Sequence, residues 1–212
     1  IAVEHPASSH VHLVGVRSSN REQPAGVTDP GDPGQIRSGS SVSFHHNGTA
    51  YRYAADGDTS LSGLAERIDA DDNGVSARVT NLGATDDPRH VLRLEGADTG
   101  AAGRILRGPG EQPGVRVTGP DGESRSLFEA GPLQQQVAQP GRDARFSVDG
   151  TPLARSSNTV TDALPGVALT LRSATEGEVP VTIARSDQDA SQAVQQFVER
   201  FNAVTGMLDQ AT

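Results

Sequence analysis

The chain has no cysteine, no lysine and no tryptophan, and its aromatic content is five Phe and two Tyr. Without cysteine there can be no disulfide, thiolate nucleophile or Cys-type zinc site, and redox usage says nothing about compartment. Without lysine there is neither a phosphate-gripping P-loop Lys nor a Schiff-base Lys; all 18 basic residues are Arg. No run of about 18 apolar residues occurs, so no segment reads as a membrane-spanning helix. There is also no Gly-x-Ser-x-Gly elbow and no His-Glu-x-x-His pair. Neither an enzyme nor a cofactor is expected.

The 27 acidic residues outnumber the basic ones, and the net charge of −9 argues against nucleic acid or an anionic membrane as partner. Leu, Ile, Val and Phe together make 44 of 212 residues. That is close to the ~20% level below which chains tend not to fold, so turn-rich β modules are a better expectation than one large core. Ile1 is neither an initiator Met nor part of a signal peptide, and a helix is expected to be still running near Thr212, so the sequence reads as a fragment.

Along the chain, Val11, Leu13 and Val14 suggest a first strand near residues 9–17. Residues 20–40, with Pro24, Pro30, Pro33 and four interspersed glycines, read as a linker or long loop, with a boundary near 34–40. Residues 41–95 form the clearest local unit. Val42 and Phe44 alternate, Asn47-Gly48 signals a type I′ hairpin, and Tyr51 and Tyr53 alternate on the return strand. Asp58 or Thr59 is placed to cap a helix with Leu61, Leu64, Ala65 and Ile68 on one face; Gly74 ends it, and Val75, Ala77, Val79, Leu92 and Leu94 supply two more strands. The order ββαββ predicts one small sheet covered by one helix. A short hairpin is expected at Val115–Arg125. Further on, Phe146 to Gly150 and Val167 to Leu171 alternate again, with a tight turn at Asp149-Gly150.

After Val181 and Ile183 the period changes. Ala190, Val194, Phe197, Phe201, Val204 and Leu208 are spaced by four, three, four, three and four, a 3.5-residue seam that wants a second helix. Ser186 is placed to cap it, with Asp187 and Asp189 on the first turn. A terminal helix lying on its own domain would need a broader apolar stripe, and only Val198 widens this one.

Two constellations invite a metal reading. Asp69-x-Asp71-x-Asn73-Gly74 opens like an EF-hand loop, but position twelve would be Thr80 and Val75–Val79 reads as a strand where a helix should begin. His10 and His12 share a strand face and His45 adjoins His46, an imaginable two-plus-one imidazole site; solvated neighbours are the expectation. The Asp-rich stretches at Asp56–Asp58, Asp69–Asp72 and Asp86-Asp87 lie at turns and helix ends, where Asp is ordinary rather than half of a glycosidase pair. No metal site is expected.

The C-terminal residues resemble one family in series. Phe146, Val148, Asp149 and Gly150, then Ser156 to Val160, then Asp162, Ala163, Gly166, Val167, Leu169 and Leu171, and then Val181, Asp187, Asp189, Ala190, Val194, Phe197, Val198 and Asn202 match the C-terminal region of the bacterial flagellar filament-capping, or hook-associated protein 2, family. Phe201 departs, since Tyr is usual there. Thr59, Leu61, Leu64, Ile68, Val75, Ala77, Val79, Leu92, Leu94, Asp98, Thr99 and Gly100 resemble the short repeat of flagellar cap, hook-associated and flagellin proteins, with Asp69 where Asn usually stands.

The resemblance implies a mainly β fold with minor α: two β-rich modules, one a ββαββ insertion, followed by the start of a coiled-coil-type helix. Residues 37–105 would be the inserted outer module, expected to fold alone. Residues 1–34 and 106–186 would form a discontinuous second β domain, and 187–212 the start of a helical bundle. It further implies a structural and assembly protein at the extracellular flagellar tip, exported without a cleavable signal peptide. Its partners would be further copies of itself in a ring, flagellin, and hook–filament junction proteins, with Val194, Phe197, Phe201, Val204 and Leu208 as the bundle seam. The alternative is an adhesin-like module binding host glycans or mucin through the outer domains, although stacking platforms are scarce.

Overall fold

The computed structural model describes residues 1–16, 27–123 and 133–183 together with Gln196, Val198 and Glu199. The chain divides into two units, 1–178 and 179–212. The first is built from β1 (Ala2–His5), β2 (Ser9–Val16), β3 (Ser41–His46), β4 (Thr49–Ala54), α1 (Leu61–Ala70), β5 (Val75–Asn81), β6 (His90–Thr99), β7 (Arg116–Thr118), β8 (Leu133–Gln139), β9 (Ala144–Val148), β10 (Thr151–Arg155), β11 (Thr159–Leu164) and β12 (Val167–Thr170). The fold is mostly β, as expected, and among the described residues the strands form four antiparallel sheets in the orders β5-β6-β2-β8, β4-β3-β7, β1-β9-β10 and β11-β12.

Local chemistry sets the hairpins. At Asn47-Gly48 φ is 49° and 80°, and at Asp149-Gly150 it is 49° and 77°. Positive φ at both central residues is the type I′ geometry, whose twist matches that of the flanking strands. Helix α1 begins one residue later than the sequence suggests. Ser60 is the N-cap, its Oγ accepting from Gly63 N–H at 3.1 Å. Thr59 is buried instead, its Oγ1 donating to Asp56 Oδ1 at 2.6 Å and accepting from Asp56 N–H at 3.0 Å. With the Thr59 hydroxyl bonded back to Asp56, the Ser60 hydroxyl fills the cap.

The ββαββ order holds along the chain, but its strands do not form one sheet. β3 and β4 pair with β7, whereas β5 and β6 continue through β2 into β8. Leu61, Leu64, Ala65 and Ile68 of α1 join Val42, Phe44, Tyr53, Val75, Ala77, Leu92, Leu94 and Val14 in one core. β2 is thus an interior strand of the sheet, not an element outside it. Its inward side chains are opposite those of β6, Val14 to Leu92 and His12 to Leu94, which in turn face Val79 and Ala77 of β5. β7 pairs with the edge of β3, Val42 facing Val117, and Gly119, Gly122 and Glu123 close a turn after it by backbone hydrogen bonds; the expected hairpin's return side beyond Glu123 lies outside the described residues. Residues 27–40 also do more than link. Val27 and Ile36 are buried in this core, and Val27 exchanges two 2.8 Å backbone hydrogen bonds with His90.

A second core unites Val3 and Ala7 with Ala144, Phe146, Val160 and Leu171. Asn158 binds Ala7 with both ends of its amide, Oδ1 accepting from the N–H at 2.6 Å and Nδ2 donating to the carbonyl at 3.0 Å. This imitates a rung of a β-ladder where the chain has no strand to offer. Residues 1–8 supply Val3 and Ala7 to this core and β2 supplies Val14 to the first, so the chain passes from one core to the other at Ser8.

At the crossover backbones approach closely. A Cβ on Gly141 would meet the Gly100 carbonyl oxygen at 2.7 Å, and one on Gly96 would meet that of Gly103 at 2.5 Å, whereas one on Gly177 meets nothing. Gly141→Ala and Gly96→Ala are each expected to cost about 1–3 kcal/mol in denaturant unfolding, as overpacking does. Gly177→Ala should be neutral or slightly stabilising. Equal effects at the three positions would contradict the close approach.

Candidate functional site

The bundle seam Val194, Phe197, Phe201, Val204 and Leu208 lies outside the described residues, as do the expected cap Ser186 and the acidic pair Asp187 and Asp189. Between them, Gln196, Val198 and Glu199 are helical and exposed. Just ahead of this stretch, Val179, Val181 and Ile183 are 46%, 51% and 59% exposed. An alternating apolar run left in solvent is the described feature of the second unit that most resembles a contact surface.

In the first unit the structure resolves both metal readings. Asn73 is buried, donating from Nδ2 to Tyr53 Oη at 2.6 Å and to the Ile68 carbonyl at 2.8 Å, while Oδ1 accepts from Val75 N–H at 2.7 Å. Asp69 Oδ1 accepts from Ser76 Oγ at 3.0 Å and Ala77 N–H at 3.1 Å. The oxygens that would face a calcium ion thus fasten the C-terminal end of α1 to β5, and among the described residues no cluster of three or more His, Asp or Glu is arranged to hold a metal. Burial pushes the Tyr53 hydroxyl up to about 12.

The histidines are not solvated neighbours. His10, His12 and His46 are 0%, 2% and 1% exposed. The His10 and His12 rings stack with centroids 6.0 Å apart and planes 15° apart, because alternate residues of β2 share a face. His46 enters from the end of β3; its ring would touch a Cβ on Gly74 at 3.0 Å. His12 Nε2 donates to Gln135 Oε1 at 2.9 Å, and Gln135 also binds both backbone groups of Val115, at 3.0 and 2.9 Å. Burial, then His12, Arg104 and His46, push the His10 imidazole down to about 4; burial, opposed by the Gln135 hydrogen bond, also lowers His12. Sequence alternation placed His10 and His12 together, but a strand's burial on that face depends on partners distant in the chain.

A cavity of about 200 Å³ lies against Glu4, Arg145, Phe146 and Leu153. It is smaller than the ~300–1,000 Å³ usual for small-molecule sites.

With no catalytic or metal centre assembled among these groups, the comparison with known proteins falls on the chain's architecture and its C-terminal residues. The family described as flagellar hook-associated protein 2 C-terminus matches residues 141–212. That match takes in the last third of the chain. The similarity extends through most of the chain. Flagellar hook-associated protein 2 of Campylobacter jejuni is 27% identical over 84% of this chain and 31% of its own length, and the A-type protein of Pseudomonas aeruginosa is 27% identical over 74% of this chain and 40% of its own. The chain therefore spans about a third of the length of such relatives. Among solved structures, the flagellar cap protein FliD D1-D2-D3 domains of Escherichia coli align with all of this chain and 58% of that one, with a TM-score of 0.76 and 22% identity. FliD of Pseudomonas aeruginosa aligns with all of it and 90% of that chain, with a TM-score of 0.67 and 20% identity. At such identities the structures establish a shared fold.

If Asn73 and Asp69 are structural clasps, Asn73→Ala leaves Tyr53, Ile68 and Val75 each short of a partner. It should cost about 2–4 kcal/mol in urea unfolding, while adding calcium or EDTA leaves the melting temperature of the unmodified chain in place. A near-neutral variant together with a calcium-dependent rise of several degrees would restore the metal reading.

Proposed function

We propose that this chain is a central piece of a flagellar filament cap, a structural and assembly protein that promotes flagellin polymerisation at the distal tip. The observation that carries the reading is the match of residues 141–212 to the hook-associated protein 2 C-terminus. It is supported by relatives bearing that name across most of the chain and by a fold shared with flagellar cap proteins. Because the chain covers 31% of the first two relatives' lengths, the properties of the whole protein belong to the proposal. These are a ring-shaped homo-oligomer, contacts with flagellin and hook–filament junction proteins, and an extracellular place at the tip reached without a cleaved signal peptide.

The physical logic rests on the seam. Val194, Phe197, Phe201, Val204 and Leu208 repeat at 3.5 residues, and full burial of each against a partner helix is worth roughly 1.5–3 kcal/mol. Residues 187–212 would begin that bundle. We retain the division into an outer module at 37–105 and a discontinuous domain formed by 1–34 and 106–186 as part of the proposal, with the sharing of sheets across those boundaries favouring a narrower discontinuous domain of 1–8 with 142–175. The glycan-binding alternative draws no support from a 200 Å³ cavity in a chain without Trp.

The native mass of the full-length protein should be that of a defined multimer. Phe197→Ser with Phe201→Ser should shift it toward monomer and suppress filament growth, while changing the melting temperature of the 212-residue chain little. A chain that unfolds while full-length assembly and motility survive would move these residues into a domain core and remove the assembly argument.

A further inference from the structure

The crossover between the two cores carries a feature that assembly does not explain. Ser8 and Arg142 exchange backbone hydrogen bonds at 2.9 and 3.2 Å, Gly100 N–H donates to the Ser8 carbonyl at 3.1 Å, and Arg104 Nε donates to the Gly141 carbonyl at 2.9 Å. His10 is sealed inside this knot. Its Nδ1 accepts from Gly141 N–H at 3.5 Å, which fixes the proton on Nε2, and that nitrogen finds no partner among the described residues. The unbonded ring nitrogens of His12 and His46, both Nδ1, are likewise buried without a partner.

We propose that His10, with His12 behind it, is an acid-released latch: protonation of these two stacked imidazoles opens the joint between the first core and the second.

The surroundings leave a new positive charge uncompensated. Arg104 faces His10 from the segment after β6, His46 faces it from β3, and Arg107 faces His12. No carboxylate is among the charged groups that act on either ring, and those on the adjoining strands and turns bond elsewhere. Asp98 accepts from Asn47 Nδ2 at 2.9 Å, Asp143 accepts from Ala101 N–H at 2.7 Å, and Glu95 pairs with Arg93 on the opposite face of β6 at 2.8 Å. From β8 the group facing His12 is the neutral Gln135. A proton on His10 Nδ1 would also abolish its capacity to accept from Gly141, at the residue whose carbonyl Arg104 holds.

The direction with pH follows from linkage. In the unfolded chain a histidine takes up its proton near 6.5, whereas folded His10 resists until about 4 and folded His12 is also lowered. The unfolded state therefore binds more protons across that window, and stability falls as pH falls below about 6.5, through the whole interval for His10. Between those two values His10 lowers the folded-to-unfolded ratio by up to about tenfold per pH unit, and His12 adds to the fall in the same direction.

Two measurements on the 212-residue chain test the latch. Imidazole NMR titration should find His10 neutral well below pH 6 and His12 shifted below its ordinary value, with amide shifts at Ser8, Gly100, Arg104 and Gly141 moving together with His10 protonation. Urea unfolding between pH 7 and 4.5 should show His10→Gln, which still accepts from Gly141, with a pH slope about tenfold per unit shallower than the parent. His10 titrating near 6.5 with unmoved joint amides overturns the proposal, as does an unchanged slope in His10→Gln. The titration uses the parent chain, so it decides the matter even where the variant fails to fold.

Discussion

The paired backbone hydrogen bonds between Ser8 and Arg142 are the crossing on which both halves of the first unit depend. On one side of Ser8 the chain supplies Val3 and Ala7 to the core built on Phe146; on the other it becomes β2, the strand that joins β6 to β8. A chain with few aliphatics cannot make one thick core, and two thin ones need a connection whose polar groups are satisfied without much apolar cover. The connection is accordingly built from main chain. Ser8, Gly100, Arg142 and the Gly141 carbonyl satisfy each other or a side chain, and Asn158 supplies a ladder rung with its amide.

What could be read from the sequence was local. Asn47-Gly48 and Asp149-Gly150 need positive φ at two successive positions, a requirement few dipeptides meet, so both turns announced themselves. The buried stripe of α1 and the strands either side of it followed from spacing alone. Pairing did not follow. Nothing in Val42-Ser43-Phe44 says that its free edge will take Val117, and nothing in Val11 to Val14 says that β6 and β8 will flank it, because an apolar alternating strand is complementary to many others. The choice of Ser60 over Thr59 as cap was likewise invisible, since both residues have the required hydroxyl. For the seam, the 3.5-residue period is a property of the sequence whatever covers it, and its weight in the functional reading comes from there.

The histidines show why polar residues are harder to place than apolar ones. An apolar side chain on the inner face of a strand is buried for its own sake, whereas a buried imidazole is tolerated only when its neighbours keep it neutral and bonded. His12 has Gln135, which itself ties β8 to Val115, so removing the glutamine would strand three groups at once. Among the described residues His10 has, as hydrogen bond, the long contact with Gly141. The pattern His-x-His on a strand was plain; its fate was decided by Gln135, more than a hundred residues away.

Glycine completes the argument about the joint. At Gly96 and Gly141 a methyl group would press on the carbonyls of Gly103 and Gly100, so these segments touch backbone to backbone and no side chain can wedge between them. Such a joint is rigid while its hydrogen bonds hold, yet it contributes little buried apolar area to resist parting. In contrast, the α1 core is held by fully buried Phe44, Leu61, Leu64 and Ile68, each worth roughly 1.5–3 kcal/mol and indifferent to pH. A charge set down beside Arg104 therefore acts where the fold has least in reserve, so the two β-rich bodies are expected to part before either core dissolves.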